Sequence, residues 1–90
     1  RYGGEEFAVI LPDTPLGAAE MLAKNIRAGV EGLQIAHPSA QAAPQVTISL
    51  GAACTENTGI TALTDLIEAA DKCLYRAKET GRNRVCMSLD

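Results

Sequence analysis

The chain has 90 residues, 47% of them hydrophobic, and a net charge of −3 from eight basic and eleven acidic side chains. This length suits one small domain or part of one, and the apolar content is too high for a disordered chain. Because no basic stripe or cluster is present, a surface for the phosphate backbone of nucleic acids is disfavoured. No apolar run approaches the roughly 20 residues that cross a bilayer, so we expect no membrane contact by this segment.

The predicted elements begin with a strand at residues 5–11, which Pro12 ends. Apolar side chains occupy both odd and even positions, so this strand is expected to be buried on both sides. Thr14 and Pro15 then predict the start of a helix, with Thr14 as the capping residue and Pro15 in the first turn. Apolar residues at helical spacing continue to Gly32, which is expected to end the helix.

After a loop, apolar residues alternate with polar or small ones at 45–54, which predicts a second strand. Thr47, Ser49 and Gly51 lie on one face of this strand. Such a small face invites the close approach of another element.

The C-terminal part predicts a polar turn at 55–60, a second helix from a cap at Thr61 to about Thr80, and a last strand at 83–88. Gly81 is the expected left-handed residue that ends the helix. The order strand, helix, strand, helix, strand predicts an α+β (α/β-like) fold in which helices cover a sheet.

The cysteines, Cys54, Cys73 and Cys86, are odd in number and widely spaced, and His37 has no cysteine near it. Structural zinc sites need closely spaced pairs of such ligands, so none is expected. We predict free thiols, which fit a reducing cytoplasm, and we interpret His37 as a surface residue in a loop.

Gly3-Gly4 is a favourable two-residue hairpin turn, because glycine accepts the positive φ angles that such turns need. A hairpin needs a strand on each side, yet only Arg1-Tyr2 precedes the turn. The first residue is also not a methionine. We therefore expect the natural chain to begin upstream, so that this sequence starts within a hairpin.

Three segments together resemble the GGDEF family of diguanylate cyclase domains, in the family's order and at its spacing. The first is RYGGEEF at residues 1–7, the signature hairpin in its GGEEF form, and the second is VTISLG at 46–51, which is similar to the family's "vTvSiG" strand. The third, at 70–85, is similar to "ADxaLYxAKxxGRNrv". One short motif is a weak signal, but three that span nearly the whole chain identify residues 1–90 as a partial GGDEF domain.

The resemblance implies the C-terminal β-α-β-α-β part of a nucleotidyl-cyclase or palm-like domain, with a central, mostly antiparallel sheet covered by helices. We expect the family's N-terminal strand and helices to lie outside this sequence. With them are absent a first metal-binding Asp, the Asn and Asp that read guanine, and an inhibitory product site that lies a few residues before the hairpin in the family. We expect residues 1–90 alone to be inactive. We also expect open apolar strand edges that pair with other chains or pack in a non-native way.

The resemblance also implies a reaction in which two GTP molecules condense to cyclic di-GMP and release two pyrophosphates. Each domain of a homodimer holds one GTP, and each 3′-hydroxyl attacks the α-phosphate of the other GTP. Mg²⁺ (or Mn²⁺) is the implied cofactor, since this chemistry depends on positioning and on neutralising charge. An upstream sensor or receiver domain, a cytoplasmic location, and any membrane anchor in an upstream domain are further expectations.

The site residues of the hairpin follow position by position. Glu5 matches a metal-binding carboxylate, and Glu6 matches a second acidic position with a metal or hydroxyl-activating role, so both are assigned to metal binding and catalysis. Gly3 and Gly4 lack side chains and let the turn lie against the nucleotide. Considered singly, the glutamates could be solvated charges and the glycines a plain turn.

Lys78 and Arg82 match the family's phosphate-contacting cations, and they share one face if the helix persists through Gly81. Alternatively, each only complements the negative end of the helix dipole. At the family spacing, the functional interpretation is favoured for all six residues.

Three further residues of the motifs receive structural interpretations. Asp71 is predicted to cap a helix or support packing, and Tyr75 to lie in the core. Ser49 is predicted to be a small packed residue rather than a nucleophile, because no base is near it in the sequence.

Three other functions compete with a cyclase. A non-catalytic GGDEF domain would bind GTP or cyclic di-GMP and regulate a partner such as an EAL phosphodiesterase, but the signature here is intact. Another nucleotidyl cyclase or palm-like polymerase domain would not share the hairpin together with the "AKxxGRN" ending. A plain α/β interaction module leaves all three motifs unexplained.

Overall fold

The structure is a computed structural model that describes residues 6–36 and 45–88. These residues form helix α1 (Leu16–Gly32), strand β1 (Leu50–Ala52), the short helix α2 (Thr55–Thr58), helix α3 (Leu63–Glu79) and strand β2 (Val85–Met87). The predicted α+β class is confirmed. The predictions for the Gly3-Gly4 turn, for Glu5 and for His37 concern residues outside the described ranges.

Strands β1 and β2 pair in parallel, with Leu50 opposite Val85 and Ala52 opposite Met87. The crossover between them contains α3, which is the kind of connection that parallel strands need. The expected mostly antiparallel sheet is not confirmed, since β1 and β2 are parallel. They are parallel because α3 returns the chain to the same end of the sheet. An isolated antiparallel bridge joins Ala36 to Gln45.

The packing of α3 on β1 depends on Gly51. A Cβ atom at this position would overlap Ala70 O and Leu74 N of α3 and would lie 2.8 Å from the carbonyl carbon of Cys73. On the inner side of α3, Cys73 is 2% exposed and Ala77 is fully buried. The predicted close approach at the small face of this strand is confirmed, because strand backbone and helix backbone meet with no side chain between them.

The N-terminus of α1 is stabilised differently from the prediction. The helix begins at Leu16, with Pro15 in the N-cap position. The Thr14 hydroxyl donates back to Pro12 O at 3.0 Å, while the Leu16 N–H donates to the carboxylate of Glu56 at 3.4 Å. The predicted Thr14 cap is wrong, because a carboxylate from α2 accepts from the first turn instead.

Helix α3 begins at Leu63, two residues after the predicted cap at Thr61, and no side chain caps it. Its C-terminus follows the prediction. Gly81 has a φ of 134°, and the Arg82 N–H donates to Ala77 O at 2.9 Å. This is the bond pattern of a Schellman motif, which satisfies carbonyl groups of the last turn.

The N-terminal segment, residues 6–11, departs most from the sequence prediction. Residues 7–11 form no strand, and Phe7 is 76%, Val9 70% and Ile10 65% exposed. A strand exists through its hydrogen-bond ladder, and none of the described backbone pairs with residues 7–11. The prediction of a strand buried on both sides is therefore wrong for these residues in this chain.

Two further observations concern the cysteines and the lengths of the helices. The three cysteines form no disulfide with one another, and Cys54 and Cys73 are buried while Cys86 is half-buried. No helix within residues 6–36 and 45–88 combines the length and apolarity that a bilayer crossing requires.

Candidate functional site

The candidate site lies where the N-terminal segment meets the last turn of α3. The ammonium of Lys78 lies 3.5 Å from Oε2 of Glu6, and each of the two side chains is 37% exposed. The pair joins two of the six residues that the sequence assigned to the site, although 71 positions separate them in the chain. A half-exposed ion pair contributes at most about 1 kcal/mol to stability. Its importance is therefore geometric, because it places a carboxylate beside a cation at an accessible surface.

The chemistry of this carboxylate fits a hard divalent cation. Mg²⁺ in proteins commonly has one or two carboxylate ligands and completes its shell with water and substrate phosphates. Glu6 is one such carboxylate and remains accessible, and Glu5 directly precedes it in the sequence. Within the described residues, no three metal-ligating side chains come together, so this part of the chain does not form an all-protein metal cage.

Arg82 lies beyond the helix rather than on its face. Helix α3 ends at Glu79, and positive φ angles of 134° at Gly81 and 61° at Arg82 redirect the chain. The condition for a shared helical face of Lys78 and Arg82, a helix that persists through Gly81, is therefore not met. The two cations still lie close in sequence around one helix end, with the exposed Arg82 on the turn that follows Lys78.

Arg84 adds a further cation to this turn. Its guanidinium covers Gly81, where a Cβ atom would overlap it, and its Nε donates to Arg82 O at 3.1 Å. The last turn of α3 and the turn after it thus carry four basic side chains, Arg76, Lys78, Arg82 and Arg84. Cations at a helix C-terminus interact favourably with the negative end of the helix dipole, and the nearby carboxylates of Glu79 and Glu6 offset part of their charge.

A second cluster connects this turn to the rest of the fold. The backbone N–H of Asn83 donates to Ser49 Oγ at 3.2 Å, and its side-chain amide donates to Oε2 of Glu31 at 2.6 Å. One guanidinium nitrogen of Arg27 donates to Asn83 Oδ1 at 3.0 Å and to Oε1 of Glu31 at 3.1 Å. We call Arg27, Glu31 and Asn83 the α1–turn cluster.

The carboxylate of Glu31 is held in its charged form. The hydrogen bond from Asn83, and next the hydrogen bond from Arg27, lower the pKa of Glu31 below its usual value of 4.5. Sequence patterns gave one hint of this cluster, the i, i+4 spacing of Arg27 and Glu31. The sequence patterns did not indicate the hydrogen bonds of Arg27 and Glu31 with Asn83, because no periodicity connects α1 to a turn more than 50 residues later.

Other motif residues divide into one confirmed and two wrong interpretations. Ser49 is half-buried and accepts a backbone hydrogen bond, as expected for a packed small residue. Tyr75 is 64% exposed, because successive helix positions turn by about 100° and Cys73 and Ala77 define the inner face. Asp71 is exposed in the middle of α3, where a side chain cannot cap a helix end.

Comparison with known families agrees with the motifs. A family model described as "Diguanylate cyclase, GGDEF domain" matches residues 1–84. The chain belongs to the GGDEF domain family. The resemblance drawn from the three motifs is thereby confirmed.

Several GGDEF relatives are similar over almost the whole chain. A probable diguanylate cyclase, DgcT, of Escherichia coli strain K12 is 44% identical over 94% of the chain. Diguanylate cyclase A of Treponema denticola is 42% identical over 98% of it, and the response regulator PleD of Caulobacter vibrioides is 44% identical over 94%. The matched regions cover 19%, 23% and 18% of these three relatives, so the chain spans about a fifth of their length.

Proposed function

We propose that the full-length protein is a diguanylate cyclase, which condenses two GTP molecules into cyclic di-GMP and releases two pyrophosphates. Membership of the GGDEF family and the names of two relatives support this activity. The structural observation that carries it is the 3.5 Å approach of Glu6 and Lys78. In a metal–triphosphate complex, a carboxylate holds the metal and a cation binds the phosphates, so the complex needs both kinds of side chain beside each other.

The residues of this chain have distinct roles in the proposal. Glu5 and Glu6 would hold Mg²⁺ (or Mn²⁺), which would neutralise charge on the phosphates. Lys78 exchanges its contact with Glu6 for a phosphate oxygen, and Arg82 binds a second phosphate oxygen from the turn after α3. The Gly3-Gly4 turn leaves space for the nucleotide backbone.

The rest of the machinery comes from outside the described residues. A homodimer places two GTP molecules face to face, so that each 3′-hydroxyl lies in line with the α-phosphate of the other. We propose that β1 and β2 belong to a larger, mostly antiparallel sheet of the complete domain. A sensor or receiver domain controls dimerisation, and the reaction takes place in the cytoplasm, where GTP is available.

The test measures cyclic di-GMP by chromatography after incubation of the full-length protein with GTP and Mg²⁺. We expect wild-type turnover, and a loss of about a hundredfold or more in Glu5→Ala, since the metal no longer stabilises the transition-state charge. Glu20→Ala is the matched control, because it removes the same charge from the exposed Glu20–Lys24 pair on α1, and it should retain full activity.

Two outcomes contradict the proposal. Full turnover in Glu5→Ala would remove the assigned metal ligand from the mechanism. A wild-type protein that binds GTP without forming product would be a nucleotide-binding regulatory domain instead of an enzyme.

A further inference from the structure

The turn that carries Arg82 has an uncommon backbone. Gly81, Arg82 and Asn83 have φ angles of 134°, 61° and 48°, so three successive residues lie in the left-handed half of conformational space. Residues other than glycine rarely adopt this region, and asparagine is one of those that tolerate it best. Such a turn persists only when surrounding contacts hold it.

Asn83 receives those contacts on three of its polar groups. Its backbone N–H, its amide nitrogen and its amide oxygen bond to Ser49, Glu31 and Arg27 respectively. Arg84, the next residue, is bound to β1, since the Leu50 N–H donates to Arg84 O at 2.9 Å. The backbone on one side of Arg82 is therefore fixed to α1 and β1, and on the other side the Schellman bond fixes it to α3.

The placement of Glu31 does not serve helix α1 itself. A carboxylate in the last turn of a helix faces the negative end of the dipole, which is unfavourable. In the Arg27–Glu31 ion pair, the cation is N-terminal to the acid, which is the less favourable order on a helix. The Glu20–Lys24 pair on the same helix has the favourable order. The compensating interaction of Glu31 is its hydrogen bond with Asn83.

We propose that Arg27, Glu31 and Asn83 are positioning residues for Arg82. They lock the turn so that the Arg82 guanidinium is held ready for the phosphates of GTP, although none of the three is assigned to touch the nucleotide. This inference rests on the proposed function. A cluster that only attaches α1 to the sheet would affect stability, whereas a positioning cluster affects GTP binding through Arg82.

The test is a double-mutant cycle in the full-length protein. KM and kcat are measured for GTP, and affinity is measured by calorimetry with a non-hydrolysable GTP analogue and Mg²⁺. Glu31→Ala and Asn83→Gly should each raise KM and the dissociation constant by about five- to tenfold, as for one weakened charge-assisted hydrogen bond, with a smaller change in kcat. Glycine at position 83 can adopt the positive φ without strain, so this variant removes the side-chain contacts and leaves the turn conformation accessible.

The Arg82→Ala background decides between positioning and stability. There, Glu31→Ala and Asn83→Gly should change the dissociation constant by less than about twofold, because coupled residues are not additive. Glu20→Ala is the control on the same helix and should behave as wild type in both backgrounds. Thermal melting of each variant checks that it is folded.

The inference is overturned if the Glu31→Ala and Asn83→Gly effects are equally large with and without Arg82, or if neither variant weakens binding. The cyclase proposal fails separately, if the wild-type protein forms no cyclic di-GMP. In that case, the calorimetric double-mutant cycle still tests whether the α1–turn cluster affects binding of the GTP analogue through Arg82. A wild-type protein that neither turns over nor binds the analogue would overturn both proposals.

Discussion

The N-terminal segment and the β1–α3–β2 unit are both rich in apolar residues, but only the second buries them. In the unit, Cys73 and Ala77 are buried because Gly51 allows α3 to lie directly on β1. In the segment, Phe7 and Val9 are largely exposed because no described strand lies beside them. Burial of apolar side chains is favourable, but it occurs only where a neighbouring element covers them.

The candidate site lies on the boundary between these two parts. Glu6 belongs to the exposed segment, and Lys78 belongs to the packed helix. The cations therefore stand on a rigid support, while the carboxylate depends on a part of the chain whose own burial is incomplete. Complete burial of the segment in the full domain would fix the carboxylate as firmly as the cations.

The strongest test of the packed unit is Gly51→Val. The added side chain would collide with the α3 backbone at Ala70 and Leu74, and neither backbone group can move without displacing the helix. We expect a loss of about 3 kcal/mol in the free energy of unfolding, measured by urea denaturation of the 90-residue polypeptide. Gly29→Ala is the control, since a Cβ atom there meets nothing, and it should stabilise α1 by about 0.5–1 kcal/mol. A Gly51→Val variant as stable as wild type would refute the close packing.

Substitutions in the N-terminal segment should change self-association of the chain and have little effect on its stability. The double substitution Phe7→Ser and Val9→Thr should change the free energy of unfolding by less than about 0.5 kcal/mol, because both side chains are exposed. The same change should reduce self-association of the 90-residue polypeptide, measured by light scattering after gel filtration, since exposed apolar side chains associate with other chains.

Met21→Thr is the control for self-association, because Met21 is also exposed but belongs to α1 and not to the segment. It should leave the association state unchanged. A wild-type polypeptide that is a monodisperse monomer with cooperative melting would contradict the expectation of open edges.

A smaller effect concerns the pH dependence contributed by Glu31. Its pKa is lower in the folded chain than in the unfolded chain, so its stabilisation is fully present above the unfolded value of 4.5 and is lost as pH falls through the folded pKa. Glu31→Gln should therefore differ most from wild type near neutral pH, and the difference in urea midpoint should shrink at acid pH. Glu20→Gln serves as the control. A difference that does not change with pH would exclude ionisation of Glu31 as its cause.

The smallest change in stability is expected at the Glu6–Lys78 ion pair. Glu6→Gln removes one charge from a half-exposed pair, so the free energy of unfolding should fall by less than about 0.5 kcal/mol, as in the control Glu68→Gln at the exposed Lys72–Glu68 pair. Cyclase activity of the full-length protein should nevertheless fall strongly in Glu6→Gln and remain unchanged in Glu68→Gln. Equal activity of the two variants would remove Glu6 from the catalytic assignment.

Local chemistry was sufficient to predict much of this protein. Helical periodicity predicted α1 and α3, Gly81 predicted the end of α3, and the small residues around Gly51 predicted a close contact. The hairpin and the "AKxxGRN" ending predicted the GGDEF family. Each of these signals lies within a short stretch of chain, where propensity, periodicity and turn chemistry act directly.

Contacts between distant parts of the chain were decided by the assembled fold. The exposure of residues 7–11, the approach of Glu6 to Lys78, the carboxylate of Glu56 at the start of α1 and the α1–turn cluster all depend on which elements become neighbours. Periodicity shows which face of an element is apolar, but it does not specify what covers that face. The physical reason is that burial and ion pairing are properties of two surfaces in contact, and a linear pattern describes one surface at a time.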